Sequence, residues 1–282
     1  MRGDNIESLP VLLGDSKSLF GIRTGPVHNA SGAGTVMLNA GLLHNVGPFR
    51  LHVNIADRLA RAGFPTLRLD QSGKGESPRR TGPTRAESLL LDYDDVLNHF
   101  DSIGVREIIL IGLCSGADDA LYIASKRNTV TGLILLDGYA PKNANFHLRH
   151  YANRVFKVGP WIRTFRRLVQ SNDQAPDIDF REWGSDPEML SRISRILDSD
   201  TRMLTVFTAG QNYYNHLGQL GASLPDECKK TNLSEVFFDQ VDHTYNVTYH
   251  RRRLLDQIEN WVTANFPRAA LVSASLQRET GS

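Results

Sequence analysis

The segment Gly112-Leu113-Cys114-Ser115-Gly116 places a thiol two residues from a glycine on either side. That spacing has a steric meaning. A residue forced into a tight strand-to-helix turn brings the neighbours two positions away against its own side chain, so those neighbours must be small. The apolar run Glu107–Gly112 leads into the turn, and the helix-forming stretch ADDALYIASK leads out of it. A thiol held there stands at the amino end of a helix, where the dipole favours its ionised form. Thiolate attack on an acyl carbon is the chemistry such a position serves. The backbone N–H of Ser115 then reads as one donor of an oxyanion hole, while its hydroxyl reads as facing away from the apex of the turn. The alternative for Cys114 is a buried small hydrophobe beside a helix cap.

Composition narrows the classes that this thiol can belong to. The chain has 282 residues and a formal net charge of +1, so no global charge argues for a nucleic-acid or membrane partner. Two cysteines, Cys114 and Cys228, are too few for a disulfide framework. No CxxC pair or HExxH occurs, so neither a metal nor a cofactor is expected. The glycines of SGAG and GKGES do not form a dinucleotide fingerprint, because the first precedes a strand and the second lacks its third glycine. The first twenty residues lack the apolar core of a signal peptide, and no run is long enough for a membrane helix. A reduced cytoplasm is the expected location, where a thiol stays unoxidised.

The elements that must position the thiol follow from period and punctuation. Short β-branched or apolar runs occur at PVLL and LFGIR, then at Thr35–Asn39, Pro65–Asp70, Glu107–Gly112, Gly132–Asp137, Met203–Phe207 and Glu235–Val241. Between most of them lie stretches of helical period, such as SLLLDYDDVLNHFDSIG and RRLLDQIENWVTANF. This alternation predicts an α/β fold: a mostly parallel eight-stranded sheet with helices on both faces, entered by an antiparallel hairpin. The alternation stops between Asp137 and Met203, which predicts a helical cap. The expected organisation is a core in two parts, 1–140 and 201–266, a cap at 141–200 and a tail at 267–282.

Four motifs in order make the chain resemble the α/β-hydrolase superfamily, and more closely its small bacterial serine-aminopeptidase-like and exosortase-associated hydrolases. They are NAGLLHNVGPFR, LRLDQSGKGES, GLCSGADDA and DHTY, the third carrying cysteine at the nucleophile elbow. The resemblance covers nearly the whole chain outside the tail and is weakest in the cap. It implies a second oxyanion donor from the backbone of Gly41 or Leu42, and a structural part for the loop Asp70–Ser77. It also implies a base after the last strand, which is His243 in QVDHTYN. His147 and His150 lie in the cap, and His99, His216 and His250 read as helix-surface residues.

The orienting acid departs from the family's usual pattern. The segment after the seventh strand, FTAGQNYYNHL, holds no carboxylate and offers Asn212 or Asn215. Asp137 stands at the carboxyl end of the sixth strand, where ligand-facing residues of such sheets lie, and some superfamily members carry the acid there. Asp137 is therefore the expected orienter and Asn212 the alternative. Asp242 adjoins His243, but successive side chains diverge. Asp118 and Asp119 read as acids of a first helical turn.

A cysteine nucleophile suits thioester exchange, which is nearly isoenergetic, better than amide cleavage, because a thiolate leaves more readily than an amine. The expected function is a thioesterase or esterase acting through an acyl-enzyme on a small-molecule acyl substrate, free or presented on an acyl carrier protein or coenzyme A. An acyltransferase or intramolecular cyclase is the first alternative; superfamily cyclases that close tetramate rings share the order cysteine, aspartate, histidine. A non-catalytic binding protein on this scaffold is the second. From Pro141 to Asn172 the cap carries seven Lys/Arg residues and no Asp or Glu. Such a lid suits a phosphate or an acidic carrier, or is simply a solvated helix face. Phe146, Tyr151, Arg154 and Trp161 are the candidate substrate contacts in it, with the aromatics otherwise read as cap core.

Overall fold

The computed structural model describes residues 6–26, 32–155 and 184–266, with side chains described for all of these except 150–155. Strands β1 (Ser8–Leu13) and β2 (Leu19–Thr24) form the expected antiparallel hairpin. They are followed by β3 (Ala33–Met37), helix α1 (Leu51–Arg61), β4 (Thr66–Leu69), α2 (Arg85–Ser102), β5 (Glu107–Leu113), α3 (Ser115–Ala124) and β6 (Val130–Leu136). Helices α4 (Ala144–Val155) and α5 (Asp186–Asp198) come next, on either side of residues 156–183. Strand β7 (Arg202–Thr208), strand β8 (Leu233–Phe238) and helix α6 (Thr248–Asn265) complete the fold.

The eight strands form one sheet in the order β1-β2-β4-β3-β5-β6-β7-β8. β2 joins β4 antiparallel, and every pairing from β4 to β8 is parallel. Parallel strands covered on both faces are apolar at successive positions, and β5 shows why. Its Ile108 and Leu110 enter one core, with α2, α3 and α5, while Ile109, Ile111 and Leu113 enter the other, with α1 and α6. Fully buried strands of this kind leave chemistry to the loops at their carboxyl ends.

Local signals set the helix ends. Thr84 and Glu87 form a reciprocal capping box at the start of α2. α5 opens after Ser185 with Pro187 in its first turn. No helix among the described residues is long and apolar enough to cross a membrane.

Candidate active site

Cys114 occupies the turn between β5 and α3 with φ 56° and ψ −122°, and it is the residue preceding the first turn of α3. The two glycines around it are required by contact. A Cβ on Gly112 would lie 2.1 Å from the carbonyl oxygen of Gly116, and one on Gly116 would lie 2.7 Å from the carbonyl oxygen of Asn39. Both obstacles are backbone, which cannot rotate away. The Cys114 N–H donates to Leu136 O at 2.9 Å, tying the elbow to the end of β6. The side chain is half-buried, packed on its inner side against the core under α1 and α6.

Asp137 follows β6 immediately, at φ 49° and fully buried. A buried carboxylate is tolerated when charge-assisted hydrogen bonds surround it. Thr208 supplies two, its N–H to Oδ1 at 2.7 Å and its hydroxyl to Oδ2 at 2.9 Å. His243 Nδ1 adds a contact of 2.7 Å to Oδ2. The Tyr213 hydroxyl donates to the carbonyls of Asp137 and Gly138, fixing the strained backbone from behind.

His243 lies on the loop between β8 and α6, and its ring also hydrogen-bonds the Cys114 side chain. Burial of the ring pulls its pKa down. The hydrogen bonds and Coulomb attraction of Asp137 and Cys114 outweigh that and push it up to about 9. Asp242 shapes the loop, accepting from the N–H and hydroxyl of Thr244 and from the N–H of Asn246. Gly210, after β7, lets that strand end approach: a Cβ there would be 2.9 Å from the His243 nitrogen. Cys114, Asp137 and Tyr245 are non-glycine residues at positive φ, as are Lys17, Phe49, Arg50 and Asp200 elsewhere among the described residues.

The loop after β3 packs against the elbow. Gly41 N–H donates to the Ser115 hydroxyl at 2.8 Å. The hydroxyl expected to face away thus holds the loop, and Gly41 N–H is engaged. Among the described residues, no acceptor meets the N–H groups of Leu42 and Ser115, the latter a first-turn donor of α3. Beneath the loop, buried Asp70 accepts from Asn39 Nδ2 and Asn45 Nδ2, each at 2.8 Å. Asn39 Oδ1 in turn accepts from Gln71 N–H at 2.7 Å. Gly75, at φ +49°, sits so close to the Asp70 carboxylate that a Cβ would be 2.3 Å from it.

Other candidate residues fall elsewhere. Asn212 is exposed, while Nδ1 of His243 is on Asp137. Phe146 is buried in α4, its carbonyl accepting from Asn215 Nδ2 at 2.9 Å. Tyr151 and Arg154 lie in α4 with side chains outside the described ones, and Trp161 lies outside the described residues. Most of the basic cap stretch lies there too. His216 is not on a helix surface. It is buried in the loop after β7, stacked near Tyr214 and bonded through Nδ1 to Asn215. Thr208, Tyr213 and Gly210 were not singled out from the sequence, though all three stand at the β7 end searched there for a carboxylate. Among the described residues no group of three His, Cys, Asp or Glu converges as a metal site.

The sheet order, the strand-to-helix elbow and a histidine on the loop after the last strand define an α/β-hydrolase fold. Residues 32–209 match the family described as serine aminopeptidase, S33, and the chain belongs to that family of α/β-hydrolase-type enzymes. No curated protein matches the chain. Among solved structures it is similar to the esterase Pf2001 of Pyrococcus furiosus, with a TM-score of 0.56, 14% identity and 92% of each chain covered. Est1E from Butyrivibrio proteoclasticus gives a TM-score of 0.56 at 15% identity, covering 92% of this chain and 98% of that one. A thioesterase domain from the curacin biosynthetic pathway gives 0.54 at 16%, covering 90% and 99%. At such identities the likeness is one of fold.

Proposed function

We propose that the protein is a cysteine-nucleophile hydrolase that opens acyl thioesters or esters through an acyl-enzyme on Cys114. One arrangement carries this reading: the half-buried sulfur at the head of α3 is hydrogen-bonded to His243, whose Nδ1 rests 2.7 Å from buried Asp137. The elevated basicity of His243 supports a resting thiolate–imidazolium pair, so the nucleophile is charged before substrate arrives.

In the first half-reaction the sulfur lone pair forms a bond to the carbonyl carbon, and the carbonyl electrons move onto oxygen. The N–H groups of Ser115 and Leu42 receive that oxyanion. Collapse breaks the bond to the leaving sulfur or oxygen, which takes the imidazolium proton from Nε2. In the second half-reaction neutral His243 removes a proton from water as its oxygen attacks the thioester carbon. Collapse then releases the acid and restores the thiolate. Asp137 holds the ring in the tautomer both steps need and stays ionised. Small acyl thioesters, free or carried on coenzyme A or an acyl carrier protein, are the substrate class, and a reducing cytoplasm suits the thiol.

The test is thiol release from an S-butyryl thioester. Cys114→Ala is expected to lose at least about a thousandfold in kcat, and Ser115→Ala no more than about tenfold. Retained turnover in Cys114→Ala with loss in Ser115→Ala would move the nucleophile to the serine. Acyl-enzyme that forms once and turns over only when an amine or alcohol is added would make the protein an acyltransferase.

A further inference from the structure

A cavity of about 240 Å³ opens beside the oxyanion loop, between the loop after β4 and the first turns of α2 and α3. Leu42 forms its near wall, and Lys74, Arg79 and Arg85 contribute three cations to its lining. Two carboxylates face them, and both are already saturated. Asp119, 3% exposed, accepts from Gln71 Nε2 at 3.0 Å and Arg85 Nη2 at 2.6 Å, with Lys74 Nζ at 3.5 Å. Asp92 accepts from the N–H and hydroxyl of Ser72 and from Arg80, which also pairs with Asp95.

What remains at the mouth is donor capacity that no acceptor among the described residues takes up. Among the described residues Arg79 has no acceptor for its guanidinium, and Arg85 uses one of its five N–H groups. Lys74 is 14% exposed and has Gln71 Oε1 at 2.8 Å and Asp119 Oδ2 at 3.5 Å as its acceptors among the described residues. Burial lowers its pKa, a cost that a second anion would offset. Counting Arg80 and Asp95, four cations stand against three carboxylates in and beside the cavity.

We propose that this cavity receives an anionic group at the far end of the substrate's acyl chain, a carboxylate or a phosphate monoester. The inference rests on the acyl-enzyme reading above and names the substrate it prefers. Leu42 of the β3 loop lines the cavity, and Asp119 in its wall lies five residues beyond Cys114, roughly 7 Å further along the α3 axis. A short dicarboxylic acyl chain is of that order of length. A carboxylate or phosphate laid across Arg79 and Arg85 gains charge-assisted, fork-shaped hydrogen bonds that a methyl end cannot make.

The experiment compares N-acetylcysteamine thioesters of glutarate and pentanoate, together with calorimetric titration of glutarate and of inorganic phosphate. Wild type is expected to favour the glutaryl thioester in kcat/KM by at least about tenfold. The double variant Arg79→Glu/Arg85→Gln should lose that preference through a raised KM and should no longer bind glutarate. Tighter binding of phosphate than of glutarate, lost in the same variant, would identify a phosphorylated chain and support the site. Both residues are exposed at the cavity mouth, so a thermal melt reads whether the variant folds. If neither thioester turns over but glutarate still binds and the variant abolishes it, the hydrolase reading fails and the anion site stands. A preference for pentanoate, or a glutaryl preference untouched by the variant, would overturn the proposal.

Discussion

His243 Nδ1 and Asp137 Oδ2 stand 2.7 Å apart, and the carboxylate is fully buried at the end of β6. The two residues are separated by more than a hundred positions in the chain, and Thr208 holds the carboxylate in place through both of its oxygens. The sixth strand, not the seventh, therefore supplies the acid that touches the imidazole. Asp137→Asn keeps the shape but presents an amide to the ring, disfavouring the working tautomer. Turnover should fall by about 10³–10⁴, and Asn212→Ala should stay within about threefold of wild type. Steady-state kinetics on a model thioester decides; the reverse ranking would move the orienting role to Asn212.

The pH dependence follows from the raised pKa of His243, about 9 against an ordinary 6.5. A folded-state pKa above the unfolded one stabilises the fold fully below the unfolded value and ceases to do so as pH rises through the folded value. The melting-temperature gap between wild type and His243→Gln should thus be widest near pH 6 and shrink toward pH 10. Cys114 alkylation by iodoacetamide should be nearly flat from about pH 6 to 8 in wild type. In His243→Gln it should climb toward the ordinary thiol pKa of about 8.5. Identical profiles in the two proteins would contradict the ion pair.

Gly112→Ala probes the elbow itself. The new methyl would meet the backbone carbonyl of Gly116 at 2.1 Å. Overpacking typically costs about 1–3 kcal/mol, and a rigid backbone obstacle puts this site at the upper end, enough to remove a large part of a domain's stability. A thermal melt indistinguishable from wild type would mean the turn is built differently.

Tyr245→Phe should be silent or stabilising. The Tyr245 hydroxyl is buried with no hydrogen-bond partner among the described residues, near Asp137, and burial pushes its pKa well up. Removing an unsatisfied hydroxyl returns up to about 1 kcal/mol. A loss of stability in chemical denaturation would show that the hydroxyl has a partner.

How much of this was legible in the sequence depends on the range over which each signal acts. The elbow is local: a thiol between two glycines, ending one apolar run and starting a helix, specifies its own turn. The eight strands were readable because apolar runs of β5 and β6 type, covered on both faces, contrast with the helical periods between them. Asp137 was placed by strand position alone. The Asn39–Asn45–Asp70 network was not visible, because its members converge from separate loops and carry no common period. Asp119 illustrates the same limit. Next to Asp118 it reads as an acid of a first helical turn, yet tertiary packing buries it under Gln71, Lys74 and Arg85. Within its own turn the Ser115 hydroxyl reads as facing outward; its acceptor role comes from the β3 loop, distant in sequence.

The central claim is that substrate becomes covalently attached to the sulfur of Cys114. The most direct measurement is intact-protein mass after rapid acid quench of a thioester reaction, followed by mapping of the acylated peptide. The account predicts a mass increase equal to one acyl group on the peptide containing Cys114, absent in Cys114→Ala and longer-lived in His243→Gln. Turnover with no adduct on that peptide, or an adduct on Ser115, would contradict it.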